Sequence, residues 1–468
     1  MNLSRAGANE LEVSTTGASQ GTRALHPSQA PFLIAAAFAL LHLLLALLVD
    51  RAAPDLFIRA DRAGERLSAV LGLIATSSWP DTKAFLATHG IFGDYAVHAL
   101  LYDIGGRFGV VIVQVTLALV SGLCVYRIAS LLGLTARAAA IAMTLYLCLP
   151  HTIVFPHQLA TEALQIPLVV ISTWLLIESL FRPRLAPLIV SALCLGLATL
   201  IRPIMLLWPF VAALALALAV RPRAAIAYAG AALLPVLAWM MFVGAQTGDF
   251  GLGKSGHSME RNLYERVERI TDTLPPAVRA DARAVYLDAE NQELTAATYL
   301  RFWLDHPGAS FEHLARDAMA FFGKSGIERL TIDYLALSSG AKSLQDPERG
   351  WRRQLEEHGL IQTARSLSET LGAVFLISVI GAVLMLCLVA FAFGGTLHFV
   401  AQWRTLRAPR VVAGLLLASL VLYIFWFSQV INAMQSRHRA PAEFALVLLA
   451  VVGWCAWRER RRSVTPTA

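Results

Sequence analysis

The sequence predicts an all-α, polytopic membrane protein: about ten transmembrane helices and a helical extracytoplasmic domain. Three observations carry that prediction. Of the 468 residues, 57% are hydrophobic and only 15% are charged, against about 25% charge in a typical soluble domain. Apolar runs close to the ~20 residues that a bilayer-spanning helix needs recur along the chain. The short polar segments between them alternate between arginine-rich and arginine-poor, the signature of alternating membrane faces.

Residues 1–30 form a polar tail, read as cytoplasmic. The first apolar run is 31–49. The LLVDRAAP that follows it offers no clear small-x-small cleavage site, so the run reads as an uncleaved signal-anchor. Further runs follow at 108–126, 138–150, 163–180, 185–201, 203–220, 225–243, 371–393, 411–428 and 443–457. These divide the chain into a seven-span membrane module at 31–243, including a long first outer loop at 50–107, and a soluble helical segment at 244–370. Three more spans follow at 371–457, then a basic tail at 458–468 that ends the chain in the cytoplasm.

Arg202 breaks the apolar stretch 185–220. As one helix that stretch would run roughly 54 Å at 1.5 Å per residue, well beyond a hydrocarbon core of ~30 Å. Two spans joined by a tight turn at Arg202-Pro203 fit better, because proline lacks an N–H and suits the first turn of a new helix.

With the amino terminus inside, the inner loops hold Arg127 and Arg137, Arg182 and Arg184, Arg221 and Arg223, then Arg404, Arg407 and Arg410, with RERRR at the tail. That agrees with the positive-inside rule. Arg202 is then outside, against the bias, and so are Arg437 and Arg439 in QSRHRAPAEF. Cations that break a topology rule are functional candidates.

The same face collects carboxylates and histidines. Asp55, Asp61, Glu65, Asp81, Asp94 and Asp103 are in the first outer loop, and His151, His157 and Glu162 are in HTIVFPHQLATEAL. In the 244–370 segment, Asp305-His306-Pro307 is a helix-start signal. Phe311, Leu314, Ala318, Met319 and Phe322 then recur at helical spacing on one face. A carboxylate near the water–lipid boundary can act as a general base, and arginines can clamp a phosphate through paired hydrogen bonds. A carrier would instead place polar groups near mid-membrane on broken helices.

The five cysteines all fall in apolar runs, so neither a disulfide framework nor a zinc site is expected. No metal ligand cluster stands out and no cofactor is expected. His151 and His157 have spacing that a metal could use, but interfacial packing fits them better. The net charge of +7 reads as basic loops facing an anionic leaflet. With no nucleic-acid module in the sequence, no nucleic-acid partner is expected.

Five segments together resemble the bacterial GT-C-fold, polyprenyl-phosphate-sugar-dependent glycosyltransferases, the family of protein mannosyltransferases and the aminoarabinose transferase of lipid A. LATEALQIPLVV (159–170) resembles the family's Thr/Ser-Glu-x-Leu opening of a span. LCLGLATLIRP (193–203) is similar to its Gly-Leu-Ala-x-Leu-x-Arg-Pro segment. TGDFGLGKSGHSMERNLYE (247–265) resembles the Gly-rich start of the outer domain. YLRFWLDHPGASFEHLARDAMAFF (299–322) resembles its His-Pro helix, and SRHRAPAEFALVLLA (436–450) its Arg-x-Arg-x-Pro approach to a late span.

The resemblance implies a multi-pass glycosyltransferase of the bacterial inner membrane with both termini cytoplasmic. The donor would be a polyprenyl-phosphate-linked sugar drawn from membrane lipid, and the acceptor a glycan, lipid or protein of the cell envelope, with lipopolysaccharide one possibility. Arg202, Arg437 and Arg439 would bind the donor phosphate. Glu162 and His157 would support the site, and an Asp of the first outer loop would be the base. The family pattern of Asp followed by Tyr fits Asp81-Thr-Lys-Ala-Phe85 with Phe for Tyr. GDYAVHALLYDIGG (93–106) occupies the later Tyr-Pro stretch without its proline. The base is therefore left open, with Asp81 the best fit, Asp94 next, and Asp61 or Asp55 after them. The alternatives are a lipid-linked-sugar flippase or transporter, and a catalytically inactive GT-C-like assembly partner.

Overall fold

The computed structural model describes residues 29–52, 92–219, 222–248, 255–287, 294–327, 373–405, 408–428 and 436–464, with a few isolated positions between them. Among these residues every regular element is helical and no strand occurs. Seven helices are long and apolar enough to cross a membrane, and a bent pair makes an eighth. The protein is an all-α, polytopic membrane protein.

The membrane helices run as follows: α1 (Ala30–Ala52), α2 (Phe92–Leu131), α3 (Ala136–Leu147), α4 (Pro150–Val154), α5 (Thr161–Phe181), α6 (Leu185–Ile201), α7 (Trp208–Leu218) and α8 (Pro222–Thr247). The more polar segment that follows supplies α9 (Ser255–Asp272), α10 (Pro276–Tyr286), α11 (Ala296–Asp305) and α12 (Pro307–Gly323). The chain returns to apolar helices with α13 (Ala373–Ala401) and α14 (Pro409–Ser428). The four-residue α15 (Ser436–Arg439) then leads into α16 (Glu443–Val464). Each of the ten apolar runs overlaps at least one of these helices, but seven helices, or eight with the bent pair, are long enough to cross, against about ten expected. The run 138–150 is a helix bent by 63° into α4 and the 3-10 turn Phe155–His157. α7 has only 11 residues, about 17 Å, which is short of the ~30 Å core.

The turn at Arg202 is present. α6 ends at Ile201, Arg202 is extended (φ −152°, ψ 117°), and Pro203–Met205 forms a 3-10 turn before α7. Breaking a helix inside apolar surroundings frees backbone groups that lipid cannot satisfy. Tyr423 of α14 supplies the partners: its hydroxyl accepts from the Leu207 N–H at 3.1 Å and donates to the Ile204 carbonyl at 2.7 Å. Gln165 of α5 donates to the Arg202 carbonyl at 3.2 Å. Tyr423→Phe strands both backbone groups. It should lower stability in detergent by about 1–3 kcal/mol, read as a lower thermal midpoint, whereas an unchanged midpoint would mean the turn holds without this cap.

Part of the segment 50–107, expected as a long outer loop, is helical. Residues 92–104 run straight into the next span through a kink at Gly105–Gly106. Gly106 has φ +56° and ψ −151°, a conformation open in practice only to glycine. Just past the kink, a Cβ on Gly109 would lie 2.7 Å from the Leu101 carbonyl oxygen.

α13 and α16 pack along much of their length. Their backbones approach where Gly395 and Gly453 face each other: a Cβ on Gly453 would collide with the Phe391 carbonyl, and one on Gly395 with that of Leu449. Small residues at such crossings gain the van der Waals contact that holds membrane helices together where lipid offers no hydrophobic drive.

Helices α9 to α11 have a core of their own, with Leu263, Val267, Ile270, Tyr286 and Phe302 at its centre. α12 starts at Pro307, with His306 before it, as the helix-start signal predicts. Its buried face differs from the predicted stripe. Leu314, Ala318 and Phe322 do pack inward, but Phe311 and Met319 are exposed, and Ser310, Asp317 and Phe321 are buried. The apolar spacing missed this rotation because Asp317 is drawn inward by a buried ion pair with Arg266 of α9.

Candidate functional site

Four segments distant in sequence meet at one end of the helix bundle: the start of α5, the end of α6, the α15–α16 junction and the end of α12. α5 begins at Thr161 because the chain leaves the 3-10 turn Phe155–His157 in an extended conformation. That places Glu162 in the first helical turn, where a carboxylate is favoured by the helix dipole. The break after Ile201 brings Arg202 to the same level. Its Nη1 donates to Glu162 Oε1 at 2.6 Å, and Thr161 Oγ1 donates to Glu162 Oε2 at 2.9 Å. Arg437 stands within electrostatic reach of Glu162. The Arg202 side chain keeps 18% exposure and Arg437 is half-buried, so neither side chain is fully enclosed.

Arg439 is deeper, with no exposed surface. Its Nε and Nη2 donate to Glu443 Oε1 at 3.1 and 3.0 Å, and its Nη1 donates to the Phe321 carbonyl at the end of α12. His151 Nδ1 meets the same Glu443 oxygen at 3.0 Å. Gly326, just after α12, is at φ +80°, and a Cβ there would lie 2.8 Å from the His151 ring. Only glycine combines that backbone with that closeness. Arg439 is therefore a structural anchor that ties α12 to the late helices, while Arg202 and Arg437 are the more exposed of the three. Glu443 was not among the sequence candidates. The i, i+4 spacing from Arg439 in SRHRAPAEF was its visible signal.

His157 is drawn elsewhere. Its Nε2 lies 2.8 Å from His42 Nδ1 of α1, with the two rings stacked. Beside this pair, the Gln114 amide donates to the Pro156 and Gln158 carbonyls at 3.0 and 3.2 Å and accepts from His98 Nε2 at 3.1 Å. The spans are thus less purely apolar than the sequence suggested, since α1 and α2 bury polar side chains against the broken segment between α4 and α5. These side chains serve each other and the freed backbone, and sequence periodicity carries no sign of such cross-helix pairing.

Asp81 lies outside the described residues. Asp94 is in the first turn of α2. Two residues on, Ala96 packs against a small apolar core that includes Leu200 and Leu206, so this end of α2 stands beside the Arg202 turn. Among the described residues, no group of three or more His, Cys, Asp or Glu side chains is placed to hold a metal.

The helices that carry the site carry arginine at their other ends. α5 ends at Arg182, α6 begins after Arg184, and α16 ends in Arg458–Arg462. Arg461 stacks 4.2 Å over Trp457, and Arg458 lies 5.7 Å over Trp454, the aromatic and basic pairing of a membrane boundary.

Comparison with known proteins gives three findings. Residues 31–225, under half of the chain, match the family model described as the putative competence-induced protein Ccs4 N-terminal domain. No curated protein matches. Among solved structures, the chain is similar to the apo form of the oligosaccharyltransferase of Archaeoglobus fulgidus at 15% identity and a TM-score of 0.41. The match covers 93% of this chain and 52% of that one, so the chain spans about half the length of that enzyme.

Proposed function

We propose that this protein is a membrane glycosyltransferase of GT-C type. It transfers a sugar from a polyprenyl-phosphate donor to an acceptor on the outer face of the bacterial inner membrane, with both termini cytoplasmic. The observation that carries this reading is the convergence of Glu162, Arg202 and Arg437 from three separate segments onto one partly exposed corner at a helix-bundle end. The ordered motifs of residues 159–203 and 436–450 support the donor class. The arginines at the opposite helix ends support an outward-facing site under the positive-inside rule.

In this reaction an acceptor hydroxyl or amine attacks the anomeric carbon and gives its proton to the outer-loop carboxylate, Asp81. The bond from that carbon to the phosphate oxygen breaks, and its electron pair leaves with the lipid phosphate. Arg202 and Arg437 stabilise the charge that develops there. Glu162 holds Arg202 in place, so the guanidinium meets the phosphate already oriented. Low local dielectric at the membrane edge strengthens each of these interactions. The chain's own residues supply this chemistry, with no cofactor assigned.

A transporter would be favoured by polar side chains lining a cavity at mid-membrane. The His42–His157 and His98–Gln114 groups are polar, but they are buried against one another. An inactive assembly partner would keep the fold and lose the base, and Phe85 in place of the family tyrosine is the feature that favours it.

The test is Arg202→Lys. Lysine retains the charge beside Glu162 but lacks the planar fork. Polyprenyl phosphate affinity should fall by roughly tenfold to a hundredfold, about 1.5–3 kcal/mol, measured by titration of purified protein in detergent. Unchanged affinity at normal yield would reduce Arg202 to a partner of Glu162 and remove the phosphate site.

A further inference from the structure

His438 sits between Arg437 and Arg439 and is 1% exposed. Neither ring nitrogen, Nδ1 or Nε2, has a hydrogen-bond partner among the described residues. An imidazole carries at least one N–H in every common protonation state, and a buried donor left unpaired is costly. An apolar side chain of similar size would fill the space without that cost.

The neighbours do not compensate. The nearest charges within electrostatic reach are Arg202, Arg437, Glu162 and His151. Arg202 is engaged by Glu162, and His151 by Glu443. Arg202, Arg437 and Arg439 gather at this corner with Glu162 and Glu443. An imidazole N–H donor without a partner among the described residues, within electrostatic reach of the Arg202 and Arg437 guanidiniums, is suited to an oxyanion with several acceptor oxygens.

We infer that His438 is a ligand-contacting residue. Its ring donates a hydrogen bond to a phosphate oxygen of the lipid phosphate held by Arg202 and Arg437. This rests on the phosphate-site reading above and adds to it a neutral donor that recognises phosphate without adding charge.

The experiment uses the purified full chain in detergent and three probes: a polyprenyl phosphate, the polyprenol of equal length and inorganic phosphate. His438→Phe removes the donor at similar volume, and His438→Asn restores one. The wild-type protein should prefer polyprenyl phosphate to polyprenol, with inorganic phosphate displacing the lipid only weakly. His438→Phe should lose roughly tenfold or more in polyprenyl phosphate affinity, keep its polyprenol affinity, and have an unliganded thermal midpoint equal to or above wild type. His438→Asn should recover part of the affinity.

Unchanged polyprenyl phosphate affinity in His438→Phe would overturn the inference while leaving the phosphate site in place. So would a sharply lower unliganded midpoint, which would mark His438 as a structural donor. Inorganic phosphate binding as tightly as the lipid would overturn the lipid as the source of the phosphate. A wild-type protein that does not distinguish polyprenyl phosphate from polyprenol would end the phosphate reading itself and this inference with it.

Discussion

Glu443→Ala should be the most damaging single change in the protein, lowering stability by about 3–5 kcal/mol. Glu443 is 2% exposed and accepts from both Arg439 and His151. Removing its carboxylate leaves the Arg439 guanidinium buried and uncompensated among the late spans and the end of α12. The cost comes from desolvation rather than from the lost attraction alone, and this can be separated experimentally. Replacing Arg439 and Glu443 together by Met and Leu deletes both charges, so the double variant should be less destabilised than Glu443→Ala alone. Thermal unfolding in one detergent reads both proteins. A double variant at least as unstable as Glu443→Ala would mean that the Phe321 carbonyl and His151 contacts, not the buried charge, dominate this junction.

Much of this architecture was legible in the sequence, because lipid imposes one strong rule on composition. A span needs a long apolar run, and among the described residues seven helices, or eight with the bent pair, are long and apolar enough to cross, against about ten expected. The Arg202-Pro203 turn was legible for a related reason, since 36 apolar residues exceed one bilayer and proline marks where the chain restarts. The arginine pattern put Arg202, Arg437 and Glu162 on one expected face, and they meet at one end of the bundle.

What the sequence hid depends on contacts between helices. Tyr423 caps a break more than 200 positions away, and nothing in VLYIFWFS marks that tyrosine from any other. His157 directly precedes Gln158 and Leu159 in a stretch that reads as one loop, yet its 3-10 turn faces α1 and pairs it with His42. Arg437 and Arg439 look equivalent in SRHRAP, but only Arg439 has a carboxylate one turn on within its own segment. That is why one is an anchor and the other is more exposed. The helical face of α12 was misread because the apolar pattern could not anticipate the Asp317–Arg266 pair.

Asp81→Asn should reduce sugar transfer by roughly a hundredfold or more, the range expected for loss of a general base. Asparagine keeps the size and polarity of the side chain but has no basic oxygen, so insertion and polyprenyl phosphate affinity should be near wild type. That separates this change from Arg202→Lys, which should weaken donor binding. The competing carboxylate is Asp94. It has a positional argument that Asp81 lacks, because Ala96 joins the apolar core beside the Arg202 turn. Asp81 has the family spacing of an acid followed four residues later by an aromatic ring, Phe85. The two single variants decide between them when transfer and donor affinity are measured together. If Asp81→Asn transfers normally while Asp94→Asn loses activity with donor binding intact, the base is on α2 at the mouth of the arginine corner. If both variants transfer as well as wild type, neither carboxylate takes the proton and the proposed mechanism loses its base.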